Sequence, residues 1–110
     1  MIFSEAEILI RLNEAANNAG VILTYTHKLF FMRLLKYTID NGCENYTVTF
    51  SLTNLSKTLN MPTRTLVQCL SRLTACGAII REPASELFFP NKPYYKAYTT
   101  TINKKFIIGE

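Results

Sequence analysis

The spacing of apolar residues divides the chain into stretches of different period. From Ser4 to about Asn18 the positions Ile8, Leu9, Leu12, Ala15, Ala16 and Ala19 recur at helical intervals. Ser4 offers an N-cap oxygen, and Asn17-Asn18-Ala19-Gly20 supplies residues that end a helix. A second helix is expected from its cap, Thr24, to about Asp40, ahead of Asn41-Gly42. Phe30, Phe31, Leu34, Leu35 and Thr38 form one broad stripe along it. Tyr46-Thr47-Val48-Thr49-Phe50 then alternates large apolar residues with threonine, the period of a half-buried strand.

The helical period returns after Ser51, which caps a short segment carrying Leu52, Leu55 and Leu59. Asn60-Met61-Pro62 interrupts it. Proline has no N–H, so it suits the first turn of a new helix and not the interior of an old one. A helix is therefore expected from Pro62 to about Cys76, with Gly77 supplying the left-handed position beyond its end. At about 100° per residue, Leu66, Leu70, Leu73 and Cys69 share one narrow arc. Arg64, Gln68, Ser71 and Ala75 lie opposite, flanked by Val67 and Arg72. Ala78–Glu82 reads as a strand and the rest as a hairpin, with its tip at Pro90-Asn91-Lys92-Pro93 and its return strand at Tyr95–Ile102. Pro83 confines the outgoing arm to a bulge or a sheet edge.

The elements give a fold that is mainly α with a small β-sheet (α+β), in a single domain over residues 1–110. An extra N-terminal helix occupies residues 1–20, a pair of short helices residues 51–76 and a hairpin residues 78–103. Composition agrees: 48% hydrophobic and 18% charged residues in 110 are enough for one packed core and argue against disorder. No apolar run approaches the ~20 residues of a membrane span. Glu5 and Glu7 stand where a signal peptide carries basic residues, so a cytoplasmic location is expected. Cys43, Cys69 and Cys76 are odd in number and form no CxxC pair, which fits free thiols in a reducing compartment. Cys69 faces the core and is a poor candidate for an oxidant sensor.

Charge changes the picture once it is located. Residues 1–44 carry four basic side chains against five acidic ones, residues 45–110 eight against three, and Asn45–Arg81 contains no acid. That half of the molecule would attract a polyanion. Catalysis finds no comparable support. His27 is the sole histidine, and there are no paired carboxylates, phosphate-binding glycine loop or metal-ligand spacing. No enzyme activity, metal or cofactor is expected.

The outer ridge of the Pro62–Cys76 helix has side chains suited to reading bases. Arginine donates twice to guanine O6 and N7, glutamine pairs with adenine N6 and N7, and serine bonds in either sense. Arg64, Gln68, Ser71 and Val67 are thus the base-reading candidates, against the plainer reading of a solvated face. Lys57, Thr63, Thr65, Arg72, Arg81, Asn91, Lys92 and Lys96 are candidates for phosphate or groove contacts, with Lys104 and Lys105 beside them. Thr63 and Thr65 equally serve as first-turn capping residues, and Thr65 as a packing residue. Phe88, Phe89, Tyr94, Tyr95 and Tyr98 are expected to anchor the hairpin to the core rather than to stack on single-stranded bases.

Ser51–Leu59 followed by Asn60–Leu73 resembles the two helices and turn of a winged helix-turn-helix domain, and Gly77-Ala78-Ile79-Ile80-Arg81 resembles the strand that opens its wing. Asn60 stands where many such motifs have glycine, a replacement asparagine tolerates in a left-handed turn. Leu23-Thr24, Ser51–Arg81 and Pro90-Asn91-Lys92, in that order, also resemble the N-terminal DNA-binding domain of O-type replication initiators of tailed phages. The long C-terminal segment by which those initiators recruit replication proteins has no counterpart in these 110 residues.

The expectation is a sequence-specific double-stranded DNA-binding protein that regulates transcription, reading the major groove with the helix over 62–76. The alternative is a replication or plasmid/phage maintenance protein that binds an origin with the same contacts; a third is a winged helix that binds only proteins. Transcription or replication proteins are the further partners. The apolar side of residues 1–20 serves either a homodimer contact or the core of a single copy.

Overall fold

A computed structural model describes residues 4–83 and 98–108. The helices are α1 (Glu5–Ala19), α2 (Tyr25–Asp40), α3 (Leu52–Leu59), α4 (Thr63–Ala75) and α5 (Lys105–Ile108). The strands are β1 (Thr47–Phe50), β2 (Ile79–Pro83) and β3 (Tyr98–Ile102), and a 3-10 turn, Glu44–Tyr46, leads into β1. The chain is therefore mostly helical with a small antiparallel sheet, as the apolar spacing predicts.

Helix boundaries follow from capping chemistry. Ser4 Oγ accepts the Glu7 N–H at 3.3 Å and Ser51 Oγ accepts the Asn54 N–H at 3.2 Å, each satisfying an otherwise orphaned first-turn donor. The first four helices end alike, in a reversal that satisfies their last carbonyls. Val21, Cys43, Met61 and Ala78 donate N–H groups back five residues to Ala16, Thr38, Ser56 and Leu73. The left-handed residue this requires is Asn60 after α3 (φ 53°, ψ 49°) and Gly77 after α4 (φ 80°). Pro62 is the residue before α4 rather than its first, at φ −60° and ψ 143°.

The sheet order is β1-β3-β2, which puts β2 and its Pro83 on an edge, where a missing N–H costs no ladder bond. Thr47 pairs with Thr101 and Thr49 with Thr99, and their hydroxyls meet at 3.0 and 3.3 Å on the outward face. Val48, Ile79, Thr100 and Ile102 turn inward and are buried. Beneath them lie Phe30, Phe31 and Leu34 of α2 and Leu66, Leu70 and Leu73 of α4, all close to fully buried.

Two expectations need correction. β1 begins at Thr47 rather than Tyr46, because Asn45 and Tyr46 both take positive φ (51° and 53°), which breaks the extended chain. The tail after β3 is not extended: Lys105–Ile108 forms α5, capped by Asn103 Oδ1 accepting the Lys105 N–H at 3.1 Å. Phe106 is buried there, with its ring edge-on to Phe31 at 6.4 Å, so packing overrides the β-prone composition. Of the expected return strand Tyr95–Ile102 the described part, Tyr98–Ile102, is β3; its first three residues and the expected tip Pro90–Pro93 lie outside the described residues.

α1 packs its apolar side into this same core, where Ile8, Leu12 and Ala16 are buried. Arg11 binds it to α5 by donating to the Phe106 and Ile107 carbonyls at 3.2 and 3.0 Å. The face offered for pairing with a second copy is thus occupied within one, leaving Ile10 as the large apolar side chain exposed on α1. Among the described residues no helix is long and apolar enough to cross a membrane.

Candidate nucleic-acid interface

α4 is held from below by its own leucine arc. Leu66, Cys69, Leu70 and Leu73 are buried against α2, α3 and the sheet, so the opposite ridge must face outward. Arg64, Gln68, Ser71 and Ala75 are exposed along it, and Val67 beside them is half-exposed at 50%. Thirteen residues make α4 a rod roughly 20 Å long, sufficient to span the contacts of one groove passage. Burial also raises the Cys69 thiol pKa, keeping it protonated and unreactive.

Neighbouring elements fix how the ridge is presented. α3 packs against α4, and the three-residue turn between them is closed by Met61 N–H donating to Ser56 O at 3.1 Å. Ser56 Oγ also donates to the Met61 carbonyl, so one serine braces both sides of the turn. From α2, Arg33 donates to the Leu59 carbonyl at 3.2 Å, fastening the end of α3. Pro62 brings no side-chain acceptor, so the first-turn N–H groups of α4 have no side-chain cap.

The candidates fall into groups. Thr63, Arg64, Val67, Gln68, Ser71 and Arg72 lie exposed on α4, and Lys57 is exposed near the end of the adjoining α3. Thr65 is half-buried, in keeping with a packing role. Arg81 is apart from them: it shares the inward side of β2 with buried Ile79, opposite buried Thr100, and is itself only partly exposed. Lys104 and Lys105 are exposed at the start of α5, the helix that packs on α1. Asn91, Lys92 and Lys96 lie outside the described residues, as do Phe88, Phe89, Tyr94 and Tyr95.

The electrostatic setting extends beyond α3 and α4. Every acid among the described residues lies on α1 (Glu5, Glu7, Glu14), at or after the end of α2 (Asp40, Glu44) or on β2 (Glu82). α2 from Tyr25 to Ile39, the helix that supports α4, carries Lys28, Arg33 and Lys36 and no carboxylate. Apart from Asp40 at the far end of α2, no acidic side chain of α2, α3 or α4 opposes the approach of a polyanion along the ridge.

One residue of this surface was not assigned a role by sequence reasoning. His27 is 4% exposed at the α2–α4 contact. Its Nδ1 accepts the Thr24 N–H at 3.0 Å, closing a capping box in which histidine replaces the usual glutamate or glutamine. The α4 side chains Gln68 and Arg72 lie near enough to the imidazole to influence its charge. Burial, with Arg72 adding to it, lowers the His27 pKa against the opposing pull of Gln68, so the ring is neutral at pH 7. The Thr-x-x-His spacing was the available signal for the cap, but nothing local pointed to the neighbours on α4.

No protein-family model, curated protein or solved structure matches this chain. Among the described residues no group of three His, Cys, Asp or Glu side chains could hold a metal ion.

Proposed function

We propose that this chain is a sequence-specific double-stranded DNA-binding protein of the winged helix-turn-helix type, acting as a transcriptional regulator. α3 and α4 form the helix-turn-helix, α4 enters the major groove, and the β2–β3 hairpin is the wing. The observation that carries this reading is the two-sidedness of α4: an inner arc of buried leucines and an outer ridge of Arg64, Gln68 and Ser71 with no acid on it or on the adjoining α3.

Arg64 and Gln68 are one turn apart and Ser71 a further turn along, so the three address successive base pairs as the helix lies in the groove. Thr63 and the uncapped first-turn N–H groups suit phosphate oxygens, as do Lys57 and Arg72 at the sides. The order of motifs that resembles phage replication initiators favours a second reading, in which the same contacts hold an origin.

Selection of bound fragments from random duplex DNA tests the proposal. A consensus of a few base pairs, bound with an affinity that falls steeply with salt, is expected. An inverted repeat favours a regulator and an array of direct repeats an origin binder. Failure to enrich any sequence, with no salt dependence, would overturn both readings.

A further inference from the structure

We propose that the groove between the start of α1 and the second half of α2 is the contact through which two copies of this chain pair about a two-fold axis. The proposal stands apart from the DNA-binding reading above, and its test needs no DNA.

α2 packs on the core through Phe30, Phe31, Leu34 and Thr38, all buried, so its other side faces away from that core. That side is not polar throughout. Met32 and Ile39 lie on it two turns apart, Met32 half-buried and Ile39 41% exposed. With buried Leu35 they form the apolar floor of a groove of about 320 Å³. The rest of its lining is charged: Arg33, Lys36 and Asp40 of the same helix, and Glu5 at the start of α1.

Those charges decide the occupant. Two basic and two acidic side chains leave the groove without net charge, which offers a polyanion no attraction. A surface that meets its own copy must be complementary to itself, and an apolar floor rimmed by both signs is so. Arg33 is already committed to the Leu59 carbonyl. Lys36 and Asp40 stand one turn apart, a spacing that allows an ion pair, yet neither they nor Glu5 form a salt bridge among the described residues. All three are open to a partner.

Two copies of α2 that cross in opposite directions, with the axis midway between Lys36 and Asp40, set Lys36 of each copy against Asp40 of the other. Ile39 lies beside that axis, so the two Ile39 side chains meet and leave water together. Symmetry makes every such contact twice. The area involved is modest, and the dimer should dissociate on dilution.

Sedimentation equilibrium over about 5–500 µM covers the affinities expected of an interface this small. The wild-type chain should pass from monomer to dimer mass as concentration rises. Ile39→Lys, at a side chain outside the core, should stay monomeric throughout. Lys36→Glu and Asp40→Lys each bring like charges together twice per dimer, and each should weaken self-association by roughly tenfold or more. Mixed in equal amounts, these two variants should pair with each other, since each offers the other an opposite charge at both points. Circular dichroism checks the folding of every variant, and the charge variants carry the test if Ile39→Lys does not fold. A wild-type chain that remains monomeric across the range overturns the proposal. So does a dimer that survives Ile39→Lys, which would put the contact on another face. A mixture of the two charge variants no more associated than either alone overturns it as well.

Discussion

Asn60 offers a test of the turn that sets α4 against α3. It holds φ 53° and ψ 49°, the left-handed region, at the end of α3. Its own N–H donates to Lys57 O, and the following Met61 N–H closes the reversal onto Ser56 O. A residue with a Cβ pays about 1–2 kcal/mol in this region, and asparagine is among the few that enter it readily. Asn60 is exposed, so Asn60→Ala removes little burial, and its cost should come from the backbone: about 1 kcal/mol. Asn60→Gly relieves the strain but loosens the unfolded chain, and should stay within about 0.5 kcal/mol of wild type. For a domain of this size the alanine variant should melt roughly 4–8 °C lower. Urea and thermal unfolding of the three proteins provide the comparison. Equal stability of the alanine and glycine variants would refute a left-handed Asn60, and with it the described turn.

Other expectations follow from the same geometry. Leu70→Ala, at 1% exposure, should cost about 2–5 kcal/mol in denaturant unfolding and weaken DNA binding by loosening the support of α4. Because the folded-state pKa of His27 lies below 6.5, stability should be full above about pH 6.5 and decline as the pH drops from there toward the lowered value. Folded His27→Gln, compared at pH 7.5 and 5.5, should lose that part of the slope. Deleting residues 1–20 removes Ile8, Leu12 and Ala16 from the core and should abolish cooperative unfolding. A truncated chain that stays as stable as the whole, with only its sedimentation mass halved, would restore the homodimer role of that helix.

Local chemistry made much of this fold legible. The leucine arc of α4, the Ser4 and Ser51 caps and the left-handed Asn60 and Gly77 each depend on a few neighbouring residues, and sequence patterns report such constraints well. α5 was missed because Lys105-Phe106-Ile107-Ile108 owes its helix to Asn103 and to the contact of Phe106 with Phe31, 75 positions earlier. Arg81 reads as a candidate phosphate contact by its charge, while its parity with Ile79 sets it on the inner side of β2. The approach of His27 to Gln68 and Arg72 could not be read locally at all, since it exists only once α2 lies across α4.

Chemical-shift mapping with a selected duplex tests the central claim most directly. Adding the duplex to isotope-labelled protein should shift the amides of Thr63–Ala75 most, together with the side-chain signals of Arg64 and Gln68. Shifts confined instead to α1 and α5, or to the outward threonines of β1 and β3, with the α4 signals unmoved, would contradict it.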